Sequence, residues 1–194
     1  IYHFGVDDQV PYRLYGTQQD SGALVISSRG HTGIISNDDW SPVGGGESGY
    51  LFPRKGDPSV IYGAGSGGTI TSYDTRTHVT TNISPSPLRG FGARPTADSS
   101  YYPWNTAFAP SPFQADTLYM GGQKVLRTTD GGARWQAISP VLTYKEAKAK
   151  CEGEPTRKTG AACGYSVIYA LAPSRVKAGV LWAGTDDSRL WLTQ

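Results

Sequence analysis

The stretch Arg127–Ser139 reads RTTDGGARWQAIS, and within it Thr128-x-Asp130-x-Gly132-x-x-Trp135 forms a self-contained unit. Asp130 is placed to fold its carboxylate back onto the N–H groups of its own turn. Gly132 permits the positive φ that a tight turn requires. Thr128 can hydrogen-bond locally. Trp135 opens the following strand and can pack between sheets. The unit is a turn between two strands, and it predicts a β-protein built from hairpins.

Working outward, the rest of the 194 residues agrees. There are 25 Gly and 13 Pro, with 12 Tyr and 5 Trp but a single Met. Many turn residues together with aromatic and β-branched ones indicate an all-β chain. The length suffices for a real core in one or two domains. The formal net charge is only +2. With no basic run present, that balance argues against a nucleic-acid surface. No apolar run reaches the ~20 residues that span a bilayer. Cys151 and Cys163 bracket a polar, Lys-rich segment. They could close a small loop in an oxidising compartment, but they lack the further ligands of a zinc site.

Three stretches align on a proline eight residues before an apolar-aromatic pair: PRKGDPSVIYGA from Pro53, PSPFQADTLYMG from Pro110 and PSRVKAGVLWAG from Pro173. The pairs are Ile61-Tyr62, Leu118-Tyr119 and Leu181-Trp182. A second strand follows each, in GTITSYD, KVLRTTD and RLWLTQ. A looser copy spans Tyr12–Ser27, where YGTQQDSGALVIS matches AGTDDSRLWLT. The spacing of about 60 residues exceeds a minimal four-stranded blade of ~40–50. Insertions near 87–103 and 143–163 account for the excess, and the second holds a short helical pattern over 144–150. The expected architecture is a β-propeller segment of three to four blades, near 1–42, 43–86, 104–142 and 164–194.

The unit Thr128, Asp130, Gly132 and Trp135 resembles the Asp-box, S/T-x-D-x-G-x-x-W, of sialidase-type (BNR) β-propellers. Asp74 sits in a degenerate copy with Arg76 where Gly belongs, and Thr193-Gln194 match the first two residues of another. The stretches YRLYGTQQDSG, GGGESGY and WNTAFAPSP are similar to bacterial BNR/sortilin-type propeller proteins, often labelled glycosyl hydrolases. The resemblance implies that Asp130 is structural and peripheral. It also implies an extracytoplasmic location, periplasmic or secreted. It names a family and no activity, because such labels rest on fold analogy.

Glycoside hydrolysis needs two carboxylates across a cleft, ~5–10 Å apart. Asp20 in GTQQDSG and Asp186 in GTDDS occupy matching turns, in the region where propellers bear ligands. Glu47 in GGGESGY is flanked by glycines that would let a ligand approach. These three are the candidate catalytic residues, with turn capping as the alternative for each. Tyr101, Tyr102 and Trp104 form an aromatic loop suited to stacking on sugar rings, or else to packing over the sheet. No metal site is read; Ca²⁺ remains open at the Asp-bearing turns. Gly63–Gly68, GAGSGG, spells G-x-G-x-x-G but runs into Thr69-Ile70-Thr71, a strand pattern rather than the helix a dinucleotide site requires. A sialidase would need three clustered arginines; Arg13, Arg29, Arg89, Arg94 and Arg127 show no grouping.

The functional expectation is a carbohydrate-directed propeller, either glycoside hydrolase-like or a non-catalytic glycan binder. The alternative is a propeller scaffold for protein–protein interaction. The expected partners are a glycan, and other protein chains or the rest of the same polypeptide; no nucleic-acid partner and no membrane span are expected. Three clear repeats and a looser fourth, the last stopping inside a hairpin, also predict open apolar faces on the terminal blades.

Overall fold

The computed structural model describes residues 1–85, 102–143 and 166–193. The helical pattern at 144–150, Cys151, Cys163, Arg89, Arg94 and Tyr101 lie outside them. The described chain is all-β, with four antiparallel sheets arranged as the blades of a propeller. The first blade contains β1 (Phe4–Val6), β2 (Arg13–Gln18), β3 (Gly22–Ser27) and β4 (Trp40–Pro42). The second contains β5 (Leu51–Arg54), β6 (Asp57–Ala64), β7 (Ile70–Asp74) and β8 (Val79–Asn82). The third contains β9 (Phe108–Pro110), β10 (Leu118–Gly121), β11 (Val125–Thr128) and β12 (Gln136–Ala137). The fourth contains β13 (Ile168–Pro173), β14 (Leu181–Thr185) and β15 (Leu190–Leu192).

Within each sheet the strands pair in sequence order. The first strands meet across blades, β1 on β5 and β9 on β13, so they lie innermost. This arrangement defines two ends. The turn between second and third strands, and the connection to the next blade, lie at the upper end. The turns between first and second and between third and fourth strands lie at the lower end.

Blades pack face to face. Tyr15 and Val25 of the first blade bury against Leu51 and Ile61 of the second. Tyr62, Ala64 and Ile70 of the second bury against Phe108, Leu118 and Met120 of the third. Ala107 and Val125 of the third bury against Ile168, Leu181 and Ala183 of the fourth, with Tyr119 alongside. Side chains alternate faces along a strand, so Ile61 meets the preceding blade while Tyr62 meets the following one. Both faces of a middle blade's inner strands are therefore apolar, which is why VIYGA in β6 and LYMG in β10 read as continuous runs rather than alternating ones.

Alternation also corrects one alignment. Matching Tyr15-Gly16-Thr17 to Ala183-Gly184-Thr185 places Tyr15 opposite Ala183. Yet Tyr15 faces the following blade and Ala183 the preceding one. A one-residue slip turns every side chain to the other face. The forward-facing aromatic of the fourth blade is Trp182, the residue in register with Tyr62 and Tyr119 in the proline-anchored alignment.

The opening stretch forms the β11–β12 turn. The Thr128 hydroxyl donates to Asp130 Oδ1 at 2.8 Å and accepts the Gly132 N–H at 2.9 Å. Asp130 Oδ1 also accepts the Arg134 N–H at 2.9 Å. Gly132 has φ +96°, and a Cβ there would lie 2.7 Å from Ile83. Trp135 Nε1 donates to the Ile83 carbonyl at 2.7 Å, fastening the turn to the second blade. The unit thus shapes a hairpin and ties two blades together.

Candidate functional site

The upper end gathers the chain's candidate chemistry. Asp20, at φ +63°, sits in the β2–β3 turn, and its N–H donates to Glu47 Oε2 at 2.8 Å. Glu47 lies on the connection from the first blade to the second. Asp186 occupies the β14–β15 turn at the same end, where its Oδ1 accepts the Val167 N–H at 2.8 Å. All three carboxylates are at one end of the array. Asp20 and Glu47 are brought together directly. Glu47 and Asp186 each hold a backbone N–H, and among the described residues none of the three forms an ion pair.

The glycines around Glu47 have a use other than ligand access. A Cβ at Gly49 would lie 1.8 Å from the Ala64 carbonyl oxygen, and one at Gly46 would lie 2.7 Å from the Gly65 Cα. The connection and the end of β6 thus touch backbone to backbone. Gly63 and Gly65 of the G-x-G-x-x-G stretch serve that same approach. A Cβ at Gly68 would strike the Tyr102 ring at 2.4 Å. The stretch runs through a short 3₁₀ turn at Ser66–Gly68 into β7, and no helix follows it.

The aromatic loop folds down onto this end. Tyr102 packs its ring over Gly68 and against the core between the second and third blades. The Pro103 carbonyl accepts the Gly67 N–H at 3.2 Å. The Trp104 carbonyl accepts the Ser48 hydroxyl at 3.0 Å. Tyr102 therefore covers the turn leading into β7, and the Trp104 backbone is tied to the connection at Ser48.

A second set of rings lies closer to the axis, and the sequence reading missed it. His3 precedes β1 and Tyr50 precedes β5, both at the upper end because Phe4 pairs with Gly16 and Leu51 with Gly63. Their rings stack at 3.7 Å with 11° between planes. Phe52 continues the row at 5.9 Å from Tyr50, and Phe108 at 6.1 Å from Phe52. Burial pushes the Tyr50 hydroxyl pKa up, and Tyr169 at the start of β13 adds to the rise by electrostatic repulsion. Burial likewise lowers the His3 pKa, favouring the neutral ring. Tyr169 and Tyr2 remain exposed, and the Tyr2 hydroxyl donates to Gln19 beside Asp20. The signal that could have found these residues is position: each opens an innermost strand or sits at its first turn.

The lower end is different. Asp7 accepts the Arg13 N–H, Arg13 Nε and the Tyr15 hydroxyl, at 2.8, 2.9 and 2.8 Å. Burial pushes its pKa up, but these bonds outweigh that and hold the carboxyl below its usual range. Arg54 grips Asp116 through Nε and Nη2 at 2.7 and 2.8 Å, joining the second and third blades. Tyr62 donates to the same carboxylate at 3.0 Å. Burial first, then Asp116, pushes the Tyr62 pKa up to about 12. With Arg13, Arg54 and Arg76 all committed to aspartates, no free arginine cluster forms from them.

Among the described residues, no group of three or more His, Cys, Asp or Glu could hold a metal ion. No helix among them is long and apolar enough to cross a membrane.

No family model matches the chain, and no curated protein matches it. Among solved structures it is similar to a GH74 xyloglucanase from Xanthomonas campestris, at 14% identity and a TM-score of 0.48. The match covers 93% of this chain, and the chain spans only 25% of that protein's length. The blade array is defined by its own sheets and register, independently of that likeness.

Proposed function

We propose that the upper end of the blade array binds a neutral saccharide, in an extracytoplasmic protein of the Asp-box propeller type. One observation carries the reading: exposed aromatic rings and carboxylates that form no ion pair among the described residues share one end. Tyr2 and Tyr169 are exposed at the same end as the His3–Tyr50 stack. Asp20, Glu47 and Asp186 supply acceptors for sugar hydroxyls from the surrounding turns. A rim of carboxylates repels anionic sugars, which favours neutral ones. Stacking rings with a few placed polar groups is a common physical form of a small-molecule site. Hydrolysis would use Glu47 with Asp20 or Asp186, one as proton donor and the other as base or nucleophile.

A glycan array followed by titration of the best neutral hit tests this. Tyr169→Ala, at an exposed position, should weaken binding about tenfold, the ~1.4 kcal/mol that lies at the upper end of the range for an aromatic stacking pair. Unchanged affinity in Tyr169→Ala and Tyr2→Ala would remove the site from this end. Release of reducing ends, lost in Glu47→Gln, would separate a hydrolase from a binder.

A further inference from the structure

The lower end holds one exception to its pairing of acids with arginines. Two of the three tyrosines that face a following blade share an aspartate with an arginine. Tyr15 and Arg13 meet on Asp7, and Tyr62 and Arg54 meet on Asp116. In the second set the aspartate comes from the next blade, on the β9–β10 turn. The third tyrosine, Tyr119, faces the fourth blade. Arg127 lies directly opposite it on the neighbouring strand, and so on the same face. Among the described residues neither the Arg127 guanidinium nor the Tyr119 hydroxyl has a hydrogen-bond or ion-pair partner.

The fourth blade meets these two groups with a turn built like the one that carries Asp116. The Ser111 N–H donates to the Thr117 carbonyl at 2.8 Å, and the Ser174 N–H to the Val180 carbonyl at 2.9 Å. The Thr117 N–H donates to the Gln114 carbonyl at 3.3 Å, and the Val180 N–H to the Lys177 carbonyl at 3.4 Å. The Ser111 hydroxyl accepts the Phe113 and Gln114 N–H groups, and the Ser174 hydroxyl accepts those of Val176 and Lys177. These bonds match the β9–β10 and β13–β14 turns residue for residue, and the match sets Gly179 in the place of Asp116. Gly179 has φ +82°, and a Cβ there would have nothing within 4 Å. Where the second set has its acid, the third has a pocket of about 190 Å³ between the two turns. Tyr119 and Arg127 line it, Arg127 is its one charged lining residue, and Pro112, Phe113 and Val180 make part of its wall apolar.

We infer that this pocket binds a small carboxylate, which takes Arg127 and Tyr119 as Asp116 takes Arg54 and Tyr62. The clamp between the second and third blades supplies the chemistry: a planar guanidinium fork matches two carboxylate oxygens, and a tyrosine hydroxyl donates to one of them. A cation without a counter-charge, set beside apolar walls, attracts an anion. Arg175 and Lys177 on the same β13–β14 turn add positive charge nearby. The volume is that of about six waters at ~30 Å³ each, which suits an acid of three or four carbons.

Ligand-observed saturation-transfer NMR with propionate tests the inference. The titration uses the natural polypeptide in full, so that any residues beyond Ile1 and Gln194 are in place. Saturable binding with a Kd on the order of 1 mM is expected. Arg127→Gln should weaken it about tenfold. Gly179→Asp should supply the carboxylate from within the chain and abolish binding. Gly179→Asn, of the same size without the charge, should leave the affinity within about threefold. Tyr119→Phe keeps the ring and should weaken binding about fivefold; with Arg127→Gln it carries the test should Gly179→Asp fail to fold. Absence of saturable binding overturns the proposal. So does affinity unchanged in Arg127→Gln, equal loss in folded Gly179→Asp and Gly179→Asn, or phosphate binding more tightly than propionate.

Discussion

The two ends of the blade array use the same residue types to opposite ends. At the lower end three carboxylates each have a guanidinium, Asp7 with Arg13, Asp116 with Arg54 and Asp74 with Arg76, while Asp130 is held within its own turn by the Thr128 hydroxyl and the Arg134 N–H. Buried tyrosine hydroxyls complete the first two pairs. At the upper end Asp20, Glu47 and Asp186 meet backbone N–H groups or solvent, and Tyr2 and Tyr169 are exposed. A guanidinium that is already gripped by two carboxylate oxygens has little left to offer a ligand. Carboxylates held only by a backbone N–H keep lone pairs free. The contrast assigns architecture to the lower end and leaves the upper end available for chemistry.

The largest expected effect tests that assignment at Asp7, whose side chain is only 4% exposed. Asp7→Ala strands the buried Tyr15 hydroxyl and half-buried Arg13, and should cost about 3 kcal/mol in urea denaturation. A cost below about 1 kcal/mol would mean that the lower end is not the structural one.

Acid titration sharpens the comparison. The folded pKa values of Asp7, Asp116 and Asp74 lie below the usual carboxylate range, with Asp74 near 2 beside Arg76. For groups depressed in the folded state, the unfolded chain takes up protons first as pH falls. Their stabilisation is therefore intact above about pH 4 and is lost between there and about pH 2. His3 at the upper end is also depressed, by burial. It contributes an earlier, smaller loss beginning as pH falls through about 6.5, where the unfolded imidazole protonates. Thermal melting from pH 8 to about 2 should show both phases, and His3→Gln should erase the first alone. A first phase that persists in His3→Gln assigns it elsewhere.

The smallest stability effect belongs to the upper carboxylates. Glu47→Gln retains an oxygen to accept the Asp20 N–H and should shift stability by less than about 0.5 kcal/mol. Saccharide binding measured by calorimetry should nonetheless fall in the same variant. A large stability loss with binding intact would reverse the roles drawn for the two ends.

How much of this was legible depends on the distance over which each feature acts. The Thr128–Trp135 unit makes nearly all its bonds within a few residues, so its residue types announce the turn. Its reach to Ile83 was not legible, because that partner lies in another blade. The prolines and the pairs Ile61-Tyr62, Leu118-Tyr119 and Leu181-Trp182 announced repeating blades through local strand pattern. Asp20 and Asp186 were legible as turn residues of one kind. The glycines flanking Glu47 read as room for a ligand, yet backbone at Ala64 and Gly65 fills that room.

The sequence alone determined the all-β class, the repeat and the hairpin chemistry of the Thr128–Trp135 unit. These follow from side-chain alternation and turn preferences, which act over two to five residues. Tertiary structure alone decided which face of each strand meets which blade, since a one-residue slip between Tyr15 and Ala183 leaves the letters matching and reverses the packing. It alone brought His3 onto Tyr50, 47 residues away in the chain, and set Tyr169 and Asp186 at the same end. Convergence of innermost strands is a property of blades packed against one another, and no window of sequence contains it.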